Sequence, residues 1–69
     1  MKYNSVNEIG VGDIVTISDT KYMVLINYIK GETDAKGFTP LSNMTILVDG
    51  DGNRTAVHDY RKLTVASKM

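Results

Sequence analysis

The longest apolar stretch of the chain runs from residue 21 to residue 30 and contains neither Gly nor Pro. Its β-branched and aromatic residues are typical of a strand rather than a helix. Read at a period of two residues, it is apolar on both faces. One face carries Tyr22, Val24, Ile26 and Tyr28, and the other carries Met23, Leu25 and Ile29, interrupted only by Asn27. A strand of a small domain normally has one face in the core and one in water. The second face therefore needs a cover, either from the same chain or from another molecule.

Three shorter apolar segments predict further strands, at Ile14–Ile17, Met44–Val48 and Leu63–Val65. A fifth strand is expected at Arg54–His58, which pairs back against the strand before it. The short polar break at 18–20 makes the first two strands antiparallel neighbours. The Gly-rich segment 49–53 predicts a tight turn between the third and fourth strands. A polar loop follows the central strand, and residues 59–62 predict one helical turn before the last strand.

The two ends of the chain are predicted to lie outside the sheet. Ser5 and Glu8 have the spacing of a capping box, but Gly10 and Gly12 limit any helix to a single turn. We assign residues 1–11 to an N-terminal arm and residues 66–69 to a frayed tail. Residues 1–69 form a single domain.

The order of these elements resembles the SH3-like barrel. The segment 12–17 is similar to the opening strand of such barrels, including the KOW and Tudor types, and 60–65 is similar to their last turn and strand. The resemblance implies an all-β, five-stranded SH3-like barrel with a single short helical turn before the last strand. The main alternative is an OB fold, which usually carries a helix where this chain has a tight turn.

In this barrel we expect the inward face to be filled by apolar residues from all five strands. These residues are Ile14 or Val15, Tyr22, Val24, Ile26, Ile46, Val48, Val57 and Leu63. Met23, Leu25 and Ile29 then point outward as an apolar patch of the kind that marks an interface. The alternative is that the long loop folds over this patch through Phe38 and Leu41 and completes a second small core.

The composition limits the kinds of binding site that the chain can form. The chain has 69 residues, no Cys and one His, so a thiolate or His-rich metal site is excluded. Eight basic and eight acidic residues give zero formal charge, which disfavours a strongly non-specific nucleic-acid binder. No segment resembles a signal peptide or a membrane span, and we expect a cytoplasmic protein that needs no cofactor.

Two motifs suggest sites but have simpler explanations. Asp49, Asp51 and Asn53 match the first ligands of a calcium loop, but Arg54 and Tyr60 stand where that loop needs Gly and Glu. A hairpin turn explains them better. Neighbours in a strand point to opposite faces, so His58 and Asp59 do not form a base and its orienter. We therefore expect no catalytic and no metal-binding residues.

The sequence favours a non-catalytic protein-binding module, self-associating or attached to a larger intracellular machine. Its predicted partner-binding residues are Met23, Leu25, Ile29, Phe38 and Tyr60. The size and composition also resemble short accessory proteins of bacteriophages that bind and modulate host enzymes. The alternative is a KOW- or Tudor-like nucleic-acid-binding barrel, whose candidate contacts are Lys21, Tyr60, Arg61 and Lys62. An enzyme is the third interpretation, for which no substrate can be named.

Overall fold

The computed structural model describes all 69 residues and contains one five-stranded antiparallel sheet. The strands are β1 (Ile14–Ile17), β2 (Thr20–Tyr28), β3 (Met44–Val48), β4 (Arg54–Val57) and β5 (Thr64–Ser67). Two single 3-10 turns, Val6–Glu8 and Tyr60–Lys62, precede β1 and β5. The predicted all-β class, the five strands and the short turn before the last strand are confirmed.

The strands lie in the order β4-β3-β2-β1-β5. The first four form a meander, and β5 returns to pair antiparallel with β1. The strands β4 and β5 are the two edges and do not pair with each other. The sheet is therefore open, and the closure implied by a barrel is not observed.

Two tight turns hold the meander together. Between β1 and β2, Ser18 and Asp19 have φ angles of 47° and 69°, the left-handed pair that a two-residue hairpin turn requires. Between β3 and β4, the carboxylate of Asp49 accepts the backbone N–H groups of Asp51 at 2.9 Å and Asn53 at 3.0 Å. The N–H of Asn53 first, and then that of Asp51, hold the pKa of Asp49 below its usual value. The segment 49–53 is thus the hairpin turn that its sequence predicts.

The core lies against one face of the sheet and contains six buried apolar residues, Tyr3, Ile9, Val15, Val24, Leu47 and Leu63. The prediction is correct for Val15, Val24 and Leu63. It is wrong for β3, where the buried residues are Thr45 and Leu47, while Ile46 and Val48 are only half-buried. Because every residue of this strand except Thr45 is apolar, the pattern alone does not determine which alternate set faces inward.

A β-bulge in β2 explains a second error. Val24 pairs with Leu47 and Ile26 pairs with Ile46, so Leu25 has no partner in β3. The extra residue reverses the alternation along the rest of the strand. Ile26, predicted in the core, is 38% exposed on the opposite face.

Past the bulge, Asn27 takes the inward position. It pairs with the buried Thr45, whose hydroxyl donates to the Asn27 side-chain oxygen at 2.8 Å. The Asn27 amide donates to the carbonyl of Val6 at 2.9 Å. These bonds connect β2, β3 and the first 3-10 turn, and they satisfy polar groups that would be costly to bury alone.

Both ends of the chain contact the core. Tyr3 and Ile9, in the segment predicted as an arm, are 4% and 6% exposed. The strand β5 continues to Ser67, and the backbone N–H of Met69 donates to Asp13 at 3.0 Å. The segments at both ends are therefore part of the folded domain.

Candidate docking face

The face of the sheet opposite the core carries an apolar surface on its three central strands, bounded at one end by the polar pair Thr16 and Lys21. We call it the outer face and define it by Ile14 of β1, Met23, Ile26 and Tyr28 of β2, and Met44, Ile46 and Val48 of β3. Directly paired residues of neighbouring strands share a face of the sheet. None of these seven residues belongs to the core or packs against it.

The register places these side chains in adjacent rows. Met23 pairs with both Ile14 and Val48, so one row crosses three strands. The next two rows are the pairs Ile26 with Ile46 and Tyr28 with Met44. The outer face is therefore one continuous apolar surface.

The loop that follows β2 covers only one end of this surface. The ring of Phe38 meets that of Tyr28 edge to face, with centroids 5.5 Å apart and planes at 78°. Phe38 is still 52% exposed, and Leu41 is 91% exposed. Pro40 alone among residues 30–42 is buried. This loop therefore does not form a second small core with the patch.

Two shallow hollows of about 290 Å³ each indent the outer face. The first lies beside Met23 and Val48 and is flanked by Lys21 and Asp49. The second lies beside Ile26 and Tyr28 and is flanked by Asp34 and Lys36. Each hollow thus combines apolar walls with one cation and one anion at its rim, a composition suited to a side chain of a partner protein.

Of the five predicted partner-binding residues, one lies on the outer face and one contacts it, so the five do not come together. Met23 is 40% exposed, while Leu25 and Ile29 are half-buried. Phe38 joins the surface through its contact with Tyr28. Tyr60 lies on the core side, where it packs against the buried cluster and its hydroxyl donates to the carbonyl of Asn4 at 3.2 Å. The sequence predicted one of the seven outer-face residues, Met23, and it wrongly placed Ile26, Ile46 and Val48 in the core.

The candidate nucleic-acid contacts also lie in different parts of the structure. Lys21 lies at the rim of the first hollow. Arg61 is held by Asp59, to which its Nε donates at 2.9 Å, and this contact raises the pKa of Arg61 and lowers that of Asp59. Lys62 is exposed. Of the adjacent pair of cations at 61 and 62, one already has an anionic partner.

A buried polar centre that the sequence analysis missed lies on the core side. Asp13 is 1% exposed and accepts hydrogen bonds from the Tyr3 hydroxyl at 2.6 Å and from the N–H groups of Gly10 at 2.9 Å and Met69 at 3.0 Å. The amine of Lys68 lies 3.8 Å from the same carboxylate and 5.0 Å from the centre of the Tyr3 ring. The sequence places Asp13 before a strand, and only the fold brings its distant partners to it.

The ionisation of this centre follows from its contacts. Burial opposes the charged form of Asp13, but the bonds from Tyr3, Met69 and Gly10 and the charge of Lys68 together hold its pKa below the usual value. Burial, with the bond to Asp13, raises the pKa of Tyr3 above its usual value. Asp13 is therefore an ionised structural acceptor, and no buried side-chain polar atom lacks a partner.

No three His, Asp or Glu side chains group closely enough to hold a metal ion. Neither of the two helical turns has the length or the apolar character needed to cross a membrane. No protein family model, curated protein or solved structure matches the chain.

Proposed function

We propose that the chain is a non-catalytic protein-binding module that docks through its outer face onto a partner inside the cell. The supporting observation is that the seven residues of this face form one continuous apolar surface, which the loop after β2 covers only at one end. A protein partner is the occupant that best fits a surface with apolar walls and rim charges of both signs.

The energetics favour an occupied face. Leaving a large apolar side chain in water forgoes about 1.5–3 kcal/mol of burial, and Met23 and Ile26 are each more than one-third exposed. Contiguous apolar patches of this kind mark interaction sites. Met23 and Met44 add flexible side chains that adapt to a partner's shape.

We also propose that the fold is an open member of the SH3-like barrels. The strand order β4-β3-β2-β1-β5 and the 3-10 turn just before β5 support this assignment. A more specific form of the functional proposal is that the chain is a phage-type accessory protein that modulates a host enzyme.

The test is affinity purification of the tagged protein from its native host, with quantitative identification of the proteins that it retains. Ile26→Glu places a charge in the centre of the outer face at a position that is already partly exposed. Val11→Glu is the matched control, because Val11 is 64% exposed and lies outside the sheet. We expect a partner that wild type and Val11→Glu retain and that Ile26→Glu loses by at least about tenfold, the effect of roughly 1.4 kcal/mol.

Equal retention by all three proteins would exclude the outer face as the docking site. If the wild type retained no protein and also stayed monomeric in sedimentation, the proposed function would be wrong. The stability of Ile26→Glu is measured in parallel, so that loss of the fold is not mistaken for loss of a contact.

The alternative is nucleic-acid binding through Lys21, Tyr60, Arg61 and Lys62. It requires an affinity that falls steeply with salt and that Arg61→Ala weakens for all sequences alike. The ion pair of Arg61 with Asp59 makes this alternative the weaker one. Binding that is absent or independent of salt would exclude it.

A further inference from the structure

The two edges of the sheet differ in how they are covered. On β5, the N–H of Val65 donates to the carbonyl of Met1 at 2.6 Å, and Lys2 forms a bridge with Thr64. The N-terminal segment therefore shields that edge. On β4 the residues Arg54 to Ala56 are all exposed, and no strand pairs with the side of β4 that faces away from β3.

The hydrogen-bond pattern identifies the free groups of β4. In an antiparallel pair, bonded and non-bonded residue pairs alternate along the strands. The bond from the Asp49 N–H to the Asn53 carbonyl, at 3.0 Å, makes that pair a bonded one. The register then makes Thr55 and Val57 the bonded residues of β4. The N–H and C=O of Arg54 and Ala56 point away from β3.

A second strand confirms this alternation. On β2, the N–H of Val24 donates to Asp13 at 2.9 Å and its carbonyl accepts from Gly12 at 2.8 Å, so both groups point towards β1. Leu47, which pairs with Val24, must therefore direct its groups towards β4. Its partner there is Thr55. No backbone hydrogen bond outside the regular elements involves Arg54 or Ala56.

We propose that β4 pairs antiparallel with β4 of a second copy of this chain, with the two-fold axis at Thr55. In this register Arg54 lies opposite Ala56 of the second copy, and Ala56 opposite Arg54 of the second copy. Each pair exchanges two N–H···O=C bonds, so every free group of the edge finds a partner. The arrangement joins the two sheets into one.

The second copy is the occupant because the free edge is self-complementary about Thr55. A two-fold contact uses the same patch on both molecules, and the two free residues lie symmetrically on either side of Thr55. The Thr55 side chains face each other, a favourable cross-strand pair. The register also places each Arg54 beside a small neutral residue rather than beside its own copy.

Charge repulsion between the two copies weakens this interface. The two Arg54 side chains become diagonal neighbours about 7–8 Å apart, and neither has an ion-pair partner within its own chain. Their repulsion is screened by salt, so the dimer tightens as ionic strength rises. A single short strand pair also buries little surface, so the dimer forms only at high protein concentration.

The test is sedimentation equilibrium of the full chain up to millimolar concentration. Ala56→Pro removes an edge N–H that the bonds to β3 do not use, and Pro is tolerated at such positions. Ala56→Val is the matched control that keeps the N–H. We expect Ala56→Pro to raise the dimer dissociation constant at least about tenfold and Ala56→Val to leave it within about twofold. Arg54→Gln and added salt both tighten the dimer.

A second measurement covers the case in which Ala56→Pro loses its fold. On dilution of the wild type, the amide-proton NMR signals of Arg54 and Ala56 shift the most because these protons lose a hydrogen bond, while those of Thr55 and Val57 shift less because they stay bonded to β3. A wild type that stays monomeric at millimolar concentration would overturn the proposal. So would a dimer that Ile26→Glu abolishes while Ala56→Pro leaves it intact, since that dimer would use the outer face.

Discussion

At the scale of single residues, Asp13 is the most constrained group in the molecule. A carboxylate that is 1% exposed stays ionised only when donors replace its lost water, and the Tyr3 hydroxyl and the N–H groups of Gly10 and Met69 do this. These donors come from both ends of the chain. Asp13 therefore couples the terminal segments to β1 through its charge.

This coupling makes stability dependent on pH. Because the pKa of Asp13 is lower in the folded state than in the unfolded chain, the unfolded state takes up its proton first as the pH falls. The contribution of Asp13 is complete above its unfolded pKa of about 4 and is lost as the pH falls through the folded value. We expect urea unfolding to show Asp13→Asn destabilised by about 1–3 kcal/mol at neutral pH, with a smaller difference from wild type in acid.

Asp59→Asn serves as the control, since that carboxylate also has a lowered pKa but lies at the surface beside Arg61. Its effect on unfolding should be small at every pH. If Asp13→Asn and wild type lost stability in parallel as the pH fell, the acid dependence would come from other carboxylates.

At the scale of elements, the β1–β2 turn is the least favourable piece of backbone. Ser18 and Asp19 both have positive φ, and such angles cost a non-glycine residue about 1 kcal/mol or more. Asn-Gly is the sequence most suited to this two-residue turn. We expect the double change Ser18→Asn with Asp19→Gly to raise the free energy of unfolding by about 1 kcal/mol.

Thermal melting monitored by circular dichroism measures this effect, and an increase of roughly 4–8 °C is expected for a domain of this size. A change of Gly52 to Ala in the β3–β4 turn, where φ is +85°, should act in the opposite direction. A double variant of the first turn that melts below wild type would show that Ser18 and Asp19 stabilise the turn in some other way.

The bulge in β2 marks the limit of what the sequence could predict. The position of every strand follows from local composition, because apolar runs alternate with Gly, Asp and Asn turns. Local composition does not predict the side of the sheet on which Ile26 lies. The unpaired residue Leu25 reverses the two faces of the strand, and a stretch that is apolar on both faces gives no sign of where such a bulge occurs. The same ambiguity misplaced Ile46 and Val48.

The sequence predicted that the sheet would have an exposed apolar face, but it did not predict which residues form that face. The two apolar faces of β2 predict an exposed patch, and Met23 lies on it. Tyr60 was assigned to it from its residue type, whereas its place was set by packing against the core. The partners of Asp13 were unpredictable for a similar reason, since Tyr3 and Met69 are distant in sequence.

At the scale of the whole molecule, the sheet separates a well-packed side from an uncovered one. Leu47 lies in β3 and is 0% exposed, whereas Met23 lies in the neighbouring β2 on the opposite side of the sheet and is 40% exposed. We expect Leu47→Ala to cost about 2–5 kcal/mol, a large part of the stability of so small a domain. Met23→Lys should change the free energy of unfolding by no more than about 0.5 kcal/mol.

Chemical denaturation of the two variants measures this asymmetry, with Val11→Lys as a control at an exposed site outside the sheet. If Met23→Lys cost as much as Leu47→Ala, the outer face would be stabilising the isolated domain. It would then have no surface to offer a partner.

The hydrogen bond between Met69 and Asp13 also links the two ends of the chain during refolding. The meander of β1 to β4 pairs strands that follow one another in sequence, whereas β5 has to return from the far end of the chain to pair with β1. Asp13 gains the N–H of Met69 and the nearby charge of Lys68 only after that return. We therefore expect the last step of refolding to close the core side, where Leu63 packs.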